Sequence, residues 1–332
     1  MLNYIARRVV QIIPLLVILS VLIFIIIDLP PGDFLTMRII QLQQSGTEIA
    51  EDEVARLTAQ YGLDKPLYRR YLIWIWNIVR HGNYGRSFQW DAPVSEVIGE
   101  RLALTMVVSI FTMLFSFAVA IPIGIYSATH QYTAPDYFFT FVGFIGLSIP
   151  NFLLALLLVY FSFSQLGISV TGLFSPEFID APWSLAKVGN MMQRIWVPIV
   201  IVGMAGTASL IRIMRGCLLD ELKKQYVVTA RAKGIAERRV LFRYPVRVAI
   251  NPIISTIGWL LPRVISATPL VAIVLNLPTT GPMLLRALLY QDMYLAGSFV
   301  LILSVFTVIG TLVSDILLAY LDPRIRYEGV NQ

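Results

Sequence analysis

Long apolar runs separated by polar, Pro- and Gly-rich stretches set the pattern of this chain. The first run covers 9–29, where Gln11 is the only strongly polar residue before Asp28. At about 1.5 Å per residue such a helix reaches about 30 Å, the thickness of a bilayer's hydrocarbon core. Five more runs of similar character follow at about 102–126, 137–163, 196–214, 250–277 and 296–321. The pattern predicts an all-α integral membrane protein with six transmembrane helices, and 1–332 forms a single transmembrane domain.

The intervening stretches carry their own signals. Residues 30–101 are too polar to span, and two short helices are legible there. One covers about 48–61 and closes at Gly62; the next starts from Asp64 as N-cap, with Pro66 in its first turn, and runs to about Arg80. Leu67, Tyr71, Trp74, Ile75 and Ile78 form a stripe on the second helix. That stripe suits a helix lying in the membrane interface, or one packed on its own span or a partner. His81, in the Gly-rich turn beyond, reads as structural. The fourth run is rich in small residues, with Ala205 and Ser209 spaced for close helix packing.

The stretch from Arg212 to Arg247 departs from this pattern, holding ten Lys or Arg and three acidic residues. The positive-inside tendency places it in the cytoplasm, together with both termini, while 30–101 lies outside. Arg7 and Arg8 at one end and Arg324 and Arg326 at the other agree with that orientation. A helix over 220–233, ended by Gly234, and a second over 236–244, stopped by Pro245, are predicted in this loop of 215–249. Tyr226, Ala230 and Gly234 then follow at intervals of four, so one face carries an aromatic and two very small residues. Such a face admits a close partner. The competing reading is a basic loop that only binds anionic lipid, at roughly 1 kcal/mol per residue.

Composition narrows the classes further. With 57% hydrophobic and 14% charged residues, the chain belongs in a bilayer. The net charge of +6 is concentrated in one loop and reads as topology and membrane-lipid contact, with no nucleic-acid partner. The lone Cys217 permits no internal disulfide and reads as a packing residue. Neither Gly-Lys-Ser nor Gly-Lys-Thr occurs, so no P-loop is present. HExxH is absent too, and GLSIP around Ser148 lacks the second Gly of a nucleophile elbow. The expected protein is therefore not an enzyme and holds no cofactor or metal. The fifth run is the least regular, divided by Pro252, Pro262 and Pro269 and carrying Arg263 near its middle. An Arg at mid-bilayer costs about 2.5 to 3.5 kcal/mol on insertion scales and faces a bundle interior or a wet path. Arg263 either lines a translocation pathway or pairs structurally, with Asp315 one candidate.

Several segments in order carry a resemblance. These are LNYIARRVVQIIPLLVILSVLIF, PPGD, YGLDKPLYRRY, GNYGRSF, VSEVIGERLALT, the loop motif YVVTARAKG and LAYLDPRIRY. Together they resemble the permease subunits of binding-protein-dependent ABC importers, the peptide type most closely. Val228 and Thr229 stand where the family's EAA-type loop has Glu and Ala. The resemblance implies a coupling helix docking on an ATPase subunit through Tyr226, Ala230, Arg231, Ala232, Lys233 and Gly234. It also implies a pathway region around Ser148 and Pro150, which match a third-span motif, beside Pro262 and Arg263; peptide permeases do not generally have this Arg. Implied partners are a second homologous permease subunit forming a heterodimer, two ATPase subunits that bind the ATP, and an extracytoplasmic solute-binding protein. The implied location is a prokaryotic inner membrane and the implied cargo peptides, with nickel chelates or oligosaccharides as the alternative carried by relatives. A different class, a non-transporting scaffold or sensor, leaves Arg263 unexplained.

Overall fold

The computed structural model describes residues 2–28, 65–257, 260 and 269–321. The expected helix at 48–61 and the pathway residues Pro262 and Arg263 lie outside these. Among the described residues every regular element is helical, apart from one isolated bridge between Arg86 and Pro93. In chain order the longer elements are α1 (Leu2–Asp28), α2 (Leu67–His81), α3 (Val94–Thr129), α4 (Ala134–Ser148), α5 (Asn151–Leu166), α6 (Leu185–Arg194) and α7 (Trp196–Leu222). They continue with α8 (Gln225–Ala232), α9 (Glu237–Arg243), α10 (Pro245–Ala249), α11 (Asn251–Ser255), α12 (Thr280–Leu289) and α13 (Met293–Leu321). Three of these cover segments long and apolar enough to cross a membrane: Val94–Thr129, Trp196–Leu222 and Met293–Leu317. Val10–Ile26 is a shorter apolar helix.

Two predicted elements take a different form. The run at 137–163 is not one helix but α4 and α5, which meet at 102°. Pro150 explains the break, since its ring excludes the α conformation for Ile149, which sits at φ −91°, ψ 123°. The helix expected over 220–233 is also divided. α7 continues to Leu222, Lys224 turns extended, and α8 starts afresh at Gln225.

The chain forms two compact units, Ala6–Leu104 with Thr279–Phe306, and Met1–Ile5 with Thr105–Pro278 and Thr307–Gln332. In the first, Ile23 and Phe24 of α1 bury against Trp74 of α2 and Leu301 of α13. Tyr71 packs edge-on to Phe24 at 5.6 Å, and its hydroxyl lies 2.8 Å from Ser20 Oγ. The predicted stripe on α2 therefore rests on its own first helix, while Tyr68, Leu72, Trp76 and Val79 leave the opposite apolar face exposed. Asp292 anchors the GNYGRSF segment. Fully buried, its carboxylate accepts from Ser87 Oγ at 2.5 Å, Gln89 N at 3.1 Å and Leu295 N at 3.2 Å. Burial raises this carboxyl above its ordinary range, and the bond from Ser87 leads those that oppose the shift.

The second unit is built around α7. Ile201, Met214 and Leu218 are fully buried there, and α4 packs along it. Small residues bring the backbones close. A Cβ added to Gly143 would meet Ala208 Cβ at 3.4 Å, and one added to Gly146 would meet Met204 Cβ at 3.4 Å. On α3, a Cβ at Gly124 would fall 2.6 Å from Met214 Cβ and 3.2 Å from Ile211 O. Gly203 and Ala208 take part in these close contacts, and the expected pair Ala205 and Ser209 is half-buried. The segment before α7 folds on itself around Lys187. That ammonium, 3% exposed, donates to Ala181 O at 2.7 Å and Ile179 O at 3.2 Å, and lies 4.9 Å from the Phe174 ring and 5.1 Å from that of Trp183. Carbonyls and ring faces thereby replace its water.

The Gly124 contact is open to test by comparing Gly124→Ala with Gly216→Ala, whose added Cβ has nothing within 4 Å. Both changes gain a similar helix propensity, but overpacking costs about 1–3 kcal/mol at Gly124 alone. Thermal unfolding in detergent should show Gly124→Ala melting several degrees below Gly216→Ala. Equal melting would remove the close α3–α7 contact.

Candidate functional site

The basic loop folds into a helical hairpin with a core of its own. Val227 and Ala230 of α8 point at Val240 of α9, with Ile235 and Tyr244 closing the edges. Val227 and Val240 are fully buried, and Val227 and Ala230, at i and i+3, share one face of α8. Between the helices Gly234 takes φ +73°, the left-handed conformation expected of a helix-ending glycine. The observed α9 also matches the predicted second helix, with Ala236 and Tyr244 as its caps.

Two polar contacts brace the hairpin. Arg231 grips Glu237 as a fork, with Nη2 to Oε1 at 2.6 Å and Nε to Oε2 at 3.0 Å. The guanidinium holds the Glu237 carboxyl below its ordinary value, and the carboxylate raises Arg231 in return. Because both groups are exposed, the pair contributes at most about 1 kcal/mol and weakens with salt. The Tyr226 hydroxyl donates to the Glu221 carboxylate at the end of α7, and its ring lies 6.5 Å from that of Tyr244. Burial first, and the Glu221 carboxylate second, push this phenol well above its ordinary value, so it remains a donor at neutral pH. Pro245, Val246 and Ala249 of α10 are buried, and α10 packs against α7. The hairpin is thereby held to α7.

The predicted coupling residues are brought together, though not on one face. Arg231, Ala232, Lys233 and Gly234 are exposed, joined by Val228 at 49%, while Tyr226 is 38% exposed. Ala230, at 5%, is turned into the hairpin core instead of outward as its spacing with Tyr226 and Gly234 predicts. Ser148 ends α4 and Pro150 precedes α5, both exposed at the 102° break. They stand apart from the hairpin, at the opposite end of α4 from its first turn at Asp136.

Residues 120–327 match the family described as binding-protein-dependent transport system inner membrane component, and 1–109 match that system's membrane component N-terminal family. The chain belongs to this family. It is 33% identical over 325 residues to the oligopeptide transport system permease protein AppB of Bacillus subtilis (strain 168), covering 98% of this chain and 99% of that protein. It is 30% identical over 328 residues to the glutathione transport system permease protein GsiC of Salmonella paratyphi A (strain ATCC 9150 / SARB42), covering 99% and 100%. An inner membrane component with these apolar helices is a multi-pass membrane protein.

Within this permease, sequence reasoning placed the loop helices but missed the residues that hold them together. Val227 and Val240 were the available signal, being apolar positions in a stretch otherwise crowded with Lys and Arg. Their contact also settles why Ala230 is small, since a larger side chain would part α8 from α9. Val240→Ala should loosen the hairpin locally by roughly 1–3 kcal/mol, so its amides should exchange hydrogen about 5- to 150-fold faster. Unchanged exchange across 225–243, with the rest of the protein intact, would show that this core does not stabilise the hairpin.

Proposed function

We propose that this permease is the transmembrane subunit of an ABC importer for peptides, contributing half of the translocation pathway. Both relatives are named for peptide cargo, oligopeptides in one and the tripeptide glutathione in the other. The observation that carries the mechanism is the α8–α9 hairpin, which has its own core and keeps an outer face of Val228, Arg231, Ala232 and Lys233 exposed. A rigid projection with small and basic residues outward is suited to fit a groove on an ATPase subunit. In this reading two ATPase subunits bind the ATP, a second homologous permease completes the pathway, and an extracytoplasmic binding protein delivers the peptide. The permease itself performs no catalysis. Closure of the ATPase pair moves the hairpin, and α10 and Glu221 carry that movement into α7.

The test is ATP hydrolysis by the full complex in proteoliposomes. Peptide-loaded binding protein should stimulate hydrolysis severalfold, and the permease alone should hydrolyse none. Absence of stimulation by any peptide, with stimulation by another solute class, would overturn the cargo. Hydrolysis by the isolated permease would overturn the division of labour.

The orientation proposed with this function places 215–249 and both termini inside and 30–101 outside. On a Cys217→Ala background, Lys233→Cys should react with an impermeant thiol reagent only from the cytoplasmic side and His81→Cys only from the other. The reverse pattern at either site would invert or discard the topology.

A further inference from the structure

Asp136 lies in the first turn of α4 and is 3% exposed; its Oδ2 receives Arg215 Nη2 of α7 at 3.2 Å and the Tyr132 backbone N–H at 3.0 Å. Arg215 is partly open, at 32%, yet its Nε and the Asp136 Oδ1 are both buried without a partner among the described residues. A pair so incompletely satisfied is a poor device for stability alone, because desolvation offsets much of its attraction. Its location suggests another use. Farther along the α4–α7 contact small or flexible groups meet, Gly143 against Ala208 and Gly146 against Met204, and the Arg212 guanidinium lies 5.9 Å from the centre of the Phe144 ring. Apolar contact is non-directional, and a cation over a ring face fixes position less sharply than a charge-assisted hydrogen bond. The Asp136–Arg215 pair is directional, and it sits at the end of the contact nearest the hairpin, since α7 ends at Leu222. At the opposite end, α4 terminates in the Ile149–Pro150 break.

We propose that Asp136 and Arg215 are positioning residues that lock the axial register of α4 on α7, so that movement of the hairpin reaches the break at Ser148–Pro150. This rests on the transport reading above. With the lock in place, α7 and α4 move as one body. Without it, α7 slides past α4, and ATP is consumed while the break stays where it was.

The complete importer carrying Asp136→Asn, Arg215→Gln, both together, or Arg215→Lys would be purified through this chain and reconstituted. Peptide import, ATP hydrolysis, complex yield and thermal stability would be measured on each. Each neutralised single variant should raise the ATP consumed per peptide imported by about fivefold or more, the scale of a typical coupling between sites. The double variant should be no worse than the poorer single, as members of one interaction are non-additive. Arg215→Lys, which keeps the charge but not the planar fork, should fall between. An unchanged ratio of ATP to peptide in the single variants would overturn the proposal, as would import losses that only track complex yield or melting temperature. Failure of the unaltered complex to couple ATP to peptide import would instead remove the transport reading, and this inference with it.

Discussion

Close approach of α7 to its neighbours is the contact on which the rest of its unit depends. Between helices in a membrane the apolar side chains gain little by leaving lipid, so association rests on shape and on backbones that can come near one another. Gly124 and Gly203 supply that proximity towards α3, and Gly143 and Gly146 towards α4. In return Ile201, Met214 and Leu218 are completely enclosed. A helix held so firmly can move as one piece.

The hairpin solves a different problem, that of keeping a basic segment folded where the bilayer offers no apolar surroundings. Val227, Ala230 and Val240 form a core of very few residues, too small to hold alone. The Arg231–Glu237 fork and the Tyr226–Glu221 bond add bracing, and α10 ties the hairpin to α7. A compact body results, exposed on the side away from its core. A flexible basic loop would bind anionic lipid equally well but would present no fixed outer face.

Buried charge in the polar segments between the apolar helices is handled by local satisfaction. Lys187 is enclosed by two carbonyls and two aromatic rings, and Asp292 by backbone and hydroxyl donors at the start of α13. Both tie an irregular segment to a helix, the stretch before α6 in one case and GNYGRSF in the other. Asp136 and Arg215 differ, because each keeps a buried polar atom without a partner among the described residues and the two lie on separate helices.

Much of this was legible in order along the chain. Apolar runs of bilayer length announced helices because hydrocarbon leaves the backbone no other way to satisfy its hydrogen bonds. Gly234 announced a helix end because only glycine adopts its left-handed conformation without strain, and Pro150 announced a disturbance because its ring restricts the preceding residue. What the sequence could not decide was direction. The spacing of Tyr226, Ala230 and Gly234 marked a face of small residues, but whether that face looked outward or inward depended on Val240, ten residues beyond Ala230 and brought back by the turn. The same holds for the break after Leu222, where no Gly or Pro stands and the packing of Val227 sets the new helix. Asp136 and Arg215 lie far apart in sequence, and each alone reads as a polar residue near a span end. Local chemistry determines where helices form and stop. Which side chains meet is a property of how those helices pack, and only the tertiary structure decided it.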